Sequence, residues 1–162
     1  MNPRIQIMLD SRQIEAVSPA PGEVEGMWSK AVRTLGSTTL DGLDPDARFT
    51  LLYQAALRAA TAVIRSAGFR VRGDAHHHHT FGAVAALDLG DLSDAGRDLN
   101  VIRQKRHQAI YDWETALGEH DIAQLRAATR ALFAHAHRQL RAGHPAIQPL
   151  PHDPALPGAD PR

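Results

Sequence analysis

Apolar residues recur at three- and four-residue spacing through most of the chain, the period of helices that turn one face to a core. The first such run spans Glu23 to Leu35, with Val24, Met27, Trp28, Ala31, Val32 and Leu35 on one face and Gly36 closing it. Asp44-Pro45-Asp46 opens a second helix, with Asp44 at the cap and Pro45 at the first helical position. Its expected buried stripe is Phe49, Leu52, Ala56, Ala59, Ala60 and Val63, and Gly68 ends it. Phe69–Ala75 reads as a loop. A third helix covers about His77 to Leu89, with Phe81, Val84, Ala85 and Leu87/Asp88 at helical spacing and Gly90 as its stop. Ser93 or Asp94 caps a fourth, carrying Leu99, Ile102, Ala109, Ile110, Trp113 and Leu117 up to Gly118. His120-Asp121 introduces a fifth, in which Ile122, Leu125, Thr129, Leu132, Ala136 and Leu140 step by three and four without a gap.

Five helices joined by short turns predict an all-α, up-and-down bundle over residues 22–142. No stretch shows the alternation or β-branched enrichment of a sheet. Residues 1–21 lack a clean period, end in Ser18-Pro19-Ala20-Pro21-Gly22, and read as a flexible N-terminal segment. Residues 143–162 carry Pro145, Pro149, Pro151, Pro154, Pro157 and Pro161 and read as a disordered Pro-rich tail, since no helix persists across such spacing.

Composition narrows the classes. A chain of 162 residues suits one domain. The absence of cysteine excludes a disulfide scaffold, thiol catalysis and thiolate metal sites. No apolar run approaches the roughly 18 residues of a spanning helix, and Ile7-Met8-Leu9 is too short for a signal peptide. A cytoplasmic protein with no membrane association is expected. Lys+Arg and Asp+Glu balance at 18 each, which argues against a bulk nucleic-acid coat while leaving a local basic face open. All the basic side chains except Lys30 and Lys105 are Arg, the better residue for bidentate phosphate contact.

The fourth helix holds the candidate chemistry. At about 100° per residue, Leu99, Arg106, Trp113 and Leu117 fall within about 60° of Ile102, and Ala109 about 20° to the other side. Arg106 therefore lies inside the apolar stripe, where it needs a carboxylate such as Asp98 or Asp112, a subunit contact or an anion. Arg103, His107 and Tyr111 form a flanking row by i, i+4 spacing. Two guanidiniums, an imidazole and a phenol in this arrangement suit holding a phosphodiester and moving a proton.

The stretch Ile102-Arg-Gln-Lys-Arg-His-Gln-Ala-Ile-Tyr-Asp112 resembles the signature helix of HEPN domains. The likeness continues in order through Tyr53–Ile64, Gly68-Phe-Arg-Val-Arg-Gly73, His78-His-Thr-Phe81 and Ile122–Leu140, closest to the SAV_6107-like HEPN subgroup. The resemblance implies a HEPN-type helical bundle that forms a homodimer through the signature helix. It also implies a metal-independent endoribonuclease, often the toxin of a toxin–antitoxin pair with a nucleotidyltransferase antitoxin, with no cofactor. Arg106 then corresponds to the motif Arg and His107 to the polar residue after it, with Arg106, His107 and Tyr111 as catalytic candidates. Arg103, His78 and His79 are the substrate-binding candidates. The family's pattern departs at one point: its motif His follows Arg after four to six residues, and from Arg106 the position after four is Tyr111. With an ordinary pKa of about 10, tyrosine is a poor general base at neutral pH. His107 is the substitute. The alternative is a non-catalytic HEPN module that binds nucleotide or RNA or partners a nucleotidyltransferase, and a third reading is a helical interaction protein without a ligand.

Two further features are weaker signals. In the run His76–His79, only His76 and His79 share a helix face, and no Asp or Glu follows until Asp88, so no metal site is expected. The fifth helix aligns Arg126, Arg130, His137 and Arg141 within about 60° of arc, read as a solvated basic face. As an RNA track it would bind in a salt-sensitive manner. Two Tyr, two Trp and four Phe are too few for a base-stacking platform.

Overall fold

The computed structural model describes residues 2–73, 76–110 and 117–151, and for 76 and 106–110 the backbone alone. Among these residues six helices and two short strands follow in the order α1 (Pro3–Asp10), β1 (Ile14–Ala16), α2 (Glu23–Ser37), α3 (Pro45–Ser66), β2 (Phe69–Val71), α4 (His76–Ala86), α5 (Asp91–Ile110) and α6 (Glu119–Gly143). The chain is mostly helical, and the five expected helices are α2 to α6.

The central element is α3, about 33 Å long at the helical rise. The Asp44 carboxylate accepts hydrogen bonds from the N–H groups of Asp46 and Ala47, so the expected cap and the Pro at the first helical position are both present. Ala55, Ala56, Ala59, Ala60 and Ala62 are buried without remainder, and their small size lets α3 pack against α2, α4 and α6 at once. The helices α3, α4, α5 and α6 contact one another in a closed cycle, with α2 laid on the outer side of α3. Trp28, Phe81, Leu99, Ile122, Leu125, Leu132 and Phe133 fill the interior.

Four local expectations differ from the structure, the first being the third helix, which ends at Ala86 rather than Leu89 because the chain turns at Asp88, at φ +57°. Gly36 lies inside α2, which runs on to Ser37 and is closed by Thr38, whose hydroxyl donates to the Leu35 carbonyl. The fourth helix begins at Asp91 rather than after Ser93 or Asp94. The buried Ser93 hydroxyl instead donates to the Val84 carbonyl and accepts from the Leu89 N–H, fastening the α4–α5 turn. The segment 69–71, read as a loop, is strand β2, which pairs antiparallel with β1 in the register Ile14 to Val71, Glu15 to Arg70 and Ala16 to Phe69.

The N-terminal segment before Gly22 also carries regular structure where none was expected. Asn2 caps α1 by accepting from the Arg4 N–H, and Ile5, Met8 and Ile14 are buried. Strands of three residues are too short to display an alternation, and two turns of helix show too little period to stand out. At the other end, residues 144–151 follow the core rather than leaving it: Ile147 is buried, and Trp28 Nε1 donates to the Gln148 carbonyl at 2.7 Å. The remainder of the proline-rich tail, 152–162, lies outside the described residues.

Candidate functional site where α4 meets α5

A close helix crossing sets the geometry. Gly96 of α5 sits against α4 so tightly that a Cβ there would lie 3.0 Å from the Ala85 nitrogen, 3.0 Å from Val84 Cγ1 and 3.1 Å from the Phe81 carbonyl oxygen. The absence of a side chain lets the two helices approach. Leu99 and Ile102 of α5 then bury themselves, and the first turn of α4 lies beside the middle of α5.

That approach brings two of the substrate-binding candidates together. Arg103 Nη1 lies 2.8 Å from His78 Nδ1, and Arg103 Nε donates to Asn100 Oδ1 at 3.1 Å. A guanidinium has only N–H groups to offer, so His78 Nδ1 accepts and the ring proton resides on Nε2. The pair thus sets an acceptor nitrogen against a permanent cation, and among the described residues no carboxylate forms an ion pair with Arg103. Arg103 is half-buried, and its guanidinium is held from two sides by Asn100 and His78. His79, next along α4, is half-buried. Asn100 carried no motif; its only signal was its place three residues before Arg103 on one helix.

The other candidates do not join this cluster in what is described. Arg106 and His107 stand one turn further along α5, with side chains outside the described residues, and Tyr111 lies outside them altogether. Ile102, at the centre of the fourth helix's apolar stripe, is buried in the core of the chain. Leu99 of the same stripe is buried with it, while the side chains of Arg106, Ala109 and Trp113 lie outside the described residues.

The α6 stripe is divided by its surroundings. His137 stacks on Trp28 with ring centroids 5.9 Å apart, and burial, then the nearby Arg141, push its pKa below the ordinary histidine value. It is therefore a core-edge ring at neutral pH, while Arg126 and Arg130 are half-buried and Arg141 is exposed. A shallow cavity of about 260 Å³ between the α4–α5 turn and α6 is lined by Leu89, Asp91, Leu92, His135, Arg138 and Gln139, and none of the candidate residues reaches it. Among the described residues no three His, Asp or Glu side chains converge as metal ligands, and no helix is long and apolar enough to cross a membrane.

One charged group missed by the sequence reading proves to be architectural. Arg65, on the last turn of α3, is buried and donates to both carboxylate oxygens of Glu23 and to the carbonyls of Val17, Ser18 and Phe69. Glu23 in turn accepts from the Ala20 N–H. The Arg65 hydrogen bond, with that N–H second, holds the Glu23 carboxyl down to a pKa of about 2. With its donors spoken for in this way, Arg65 joins β1, β2, α2 and α3 and offers little to a ligand.

No family model, curated protein or solved structure matches the chain.

Proposed function

We propose that this chain is an RNA-directed HEPN-type protein, a toxin-like, metal-independent endoribonuclease working as a homodimer. The contact between Arg103 and His78 carries the reading. Two candidates chosen from different helices for phosphate binding touch each other, and among the described residues no carboxylate is ion-paired with Arg103. In the proposed reaction Arg103 and Arg106 bind non-bridging phosphate oxygens. The ribose 2′-hydroxyl attacks the adjacent phosphorus, His107 takes its proton, and the 5′-oxygen leaves to give a cyclic phosphate. Tyr111 is the third participant, and His79 extends the phosphate-binding edge. A nucleotidyltransferase is the proposed antitoxin partner.

A second reading is supported by the residue at the motif-histidine register. Because Tyr111 stands there, the same arginines suit a non-catalytic module that binds nucleotide or RNA without turnover. One experiment separates the two. A labelled RNA pool is incubated in EDTA with wild type and with Arg106→Ala. Cleavage by wild type that Arg106→Ala abolishes supports the nuclease, whereas binding without cleavage supports the module.

A further inference from the structure

Far from the Arg103 cluster, three polar side chains meet where α6 ends. His144, the first residue past that helix, turns Nδ1 to Glu25 Oε1 at 3.0 Å and Nε2 to Ser66 Oγ at 3.2 Å. They come from α2, from the last turn of α3 and from the end of α6, and no sequence motif links them. The imidazole side chain is 21% exposed and Ser66 is half-buried, so the hydroxyl is not sealed in the core.

The order of the contacts fixes the chemistry. The Glu25 carboxyl is held below the usual carboxylate range, first by its own backbone N–H and then by His144. An ionised carboxylate accepts only, so Nδ1 of the neutral ring carries the proton and Nε2 turns its lone pair to the Ser66 hydroxyl. Hydroxyl, imidazole and carboxylate in that sequence form the relay that activates serine nucleophiles on many unrelated folds.

We propose that Ser66 is an activated nucleophile that is acylated by small reactive carboxylic esters. Its Oγ adds to the ester carbonyl carbon while His144 Nε2 takes the hydroxyl proton. The tetrahedral adduct collapses by breaking the bond to the leaving oxygen, which receives that proton, leaving acyl-Ser66 and an alcohol. Glu25 is a positioning residue that acts through the ring. The neighbouring N–H groups of Ala67, Gly68 and His144 are engaged by the carbonyls of Val63, Arg65 and Leu140, and Ser66 stands at the carbonyl end of α3. Both features deprive the oxyanion of stabilisation, so a single acylation without rapid turnover is the outcome.

The test is independent of RNA and uses the full chain with p-nitrophenyl acetate. Peptide mass mapping should find acetyl on Ser66 at least about 100-fold faster than on the exposed Ser11, the scale of general-base assistance. Ser66→Ala should lose that label. His144→Gln should slow it by about 100-fold with circular dichroism unchanged. Glu25→Gln should slow labelling of Ser66 by about 10-fold with circular dichroism unchanged, because the ring loses the carboxylate that orients it. Labelling of Ser66 no faster than Ser11, or an unchanged rate in a folded His144→Gln chain, would overturn the proposal and leave a structural clasp. If His144→Gln unfolds, the Glu25→Gln rate decides, and labelling as fast as in wild type overturns the proposal.

Discussion

Arg103 Nη1 and His78 Nδ1 are 2.8 Å apart although 25 residues separate them in the chain. The contact holds because the guanidinium can only donate and the Nδ1 lone pair accepts. Among the described residues no carboxylate is ion-paired with this guanidinium. Arg103→Ala should therefore weaken RNA binding and reduce the magnitude of its log–log salt slope by about one, the signature of one phosphate contact. Arg70→Ala is the control, since Arg70 is occupied by Glu15 on the small sheet. Filter binding across a salt series measures both.

The approach of α4 to α5 depends on Gly96. Replacing it by Ala gains up to about 1 kcal/mol of helix propensity. The new methyl meets the backbone nitrogen of Ala85 and carbonyl of Phe81 at 3.0 and 3.1 Å, and backbone cannot rotate aside as a side chain can. Overpacking costs typically about 1–3 kcal/mol, so the loss wins. Gly96→Ala should lower stability in urea titration and weaken RNA binding together, whereas Gly26→Ala, with open space at its Cβ, should do neither.

Acid sensitivity should centre on Glu23. Its carboxyl is held near a pKa of about 2 in the folded chain against an ordinary 4.5. A depressed carboxylate contributes its full stability above the ordinary value and loses it as pH falls through the folded one. The urea midpoint should therefore decline from about pH 4.5 down to about pH 2. Glu23→Gln should be less stable at neutral pH and show a flatter profile in that window. Arg65→Met, which strands the carbonyls of Val17, Ser18 and Phe69 and removes the Glu23 partner, should cost about 3 kcal/mol at neutral pH and less once Glu23 is protonated.

The start of the proline-rich segment is tied down by one indole. Trp28→Phe keeps most of the buried ring but leaves the Gln148 carbonyl without its donor. About 1 kcal/mol of stability should be lost. Amide exchange should also rise at Ile147, whose N–H bonds the His144 carbonyl.

The long helices were legible because burial repeats along them. Every residue expected in the stripes of α3 and α6 is buried, and Asp44-Pro45 marked its helix start. Two turns of α1 and three-residue strands hold too few repeats to read. Their places are set by partners far away: Ile14 by Val71, and Val17 by Arg65. The same holds at the sites. Arg103 and His78 were each legible as candidates on a helix face, but their contact depends on how closely two helices cross. Arg65, Ser66 and His144 looked like ordinary polar letters, because what distinguishes them is supplied by residues some 40 to 120 positions away.

The small sheet orders events during synthesis. Its first strand is complete by residue 16, yet the edge it pairs with is not made until residue 71. The leading segment must wait unpaired while α2 and α3 emerge, and non-local closure of this kind slows folding. A chain stalled on the ribosome before Phe69 should still be open to proteases between Asp10 and Gly22, and one stalled well beyond Val71 should be resistant there.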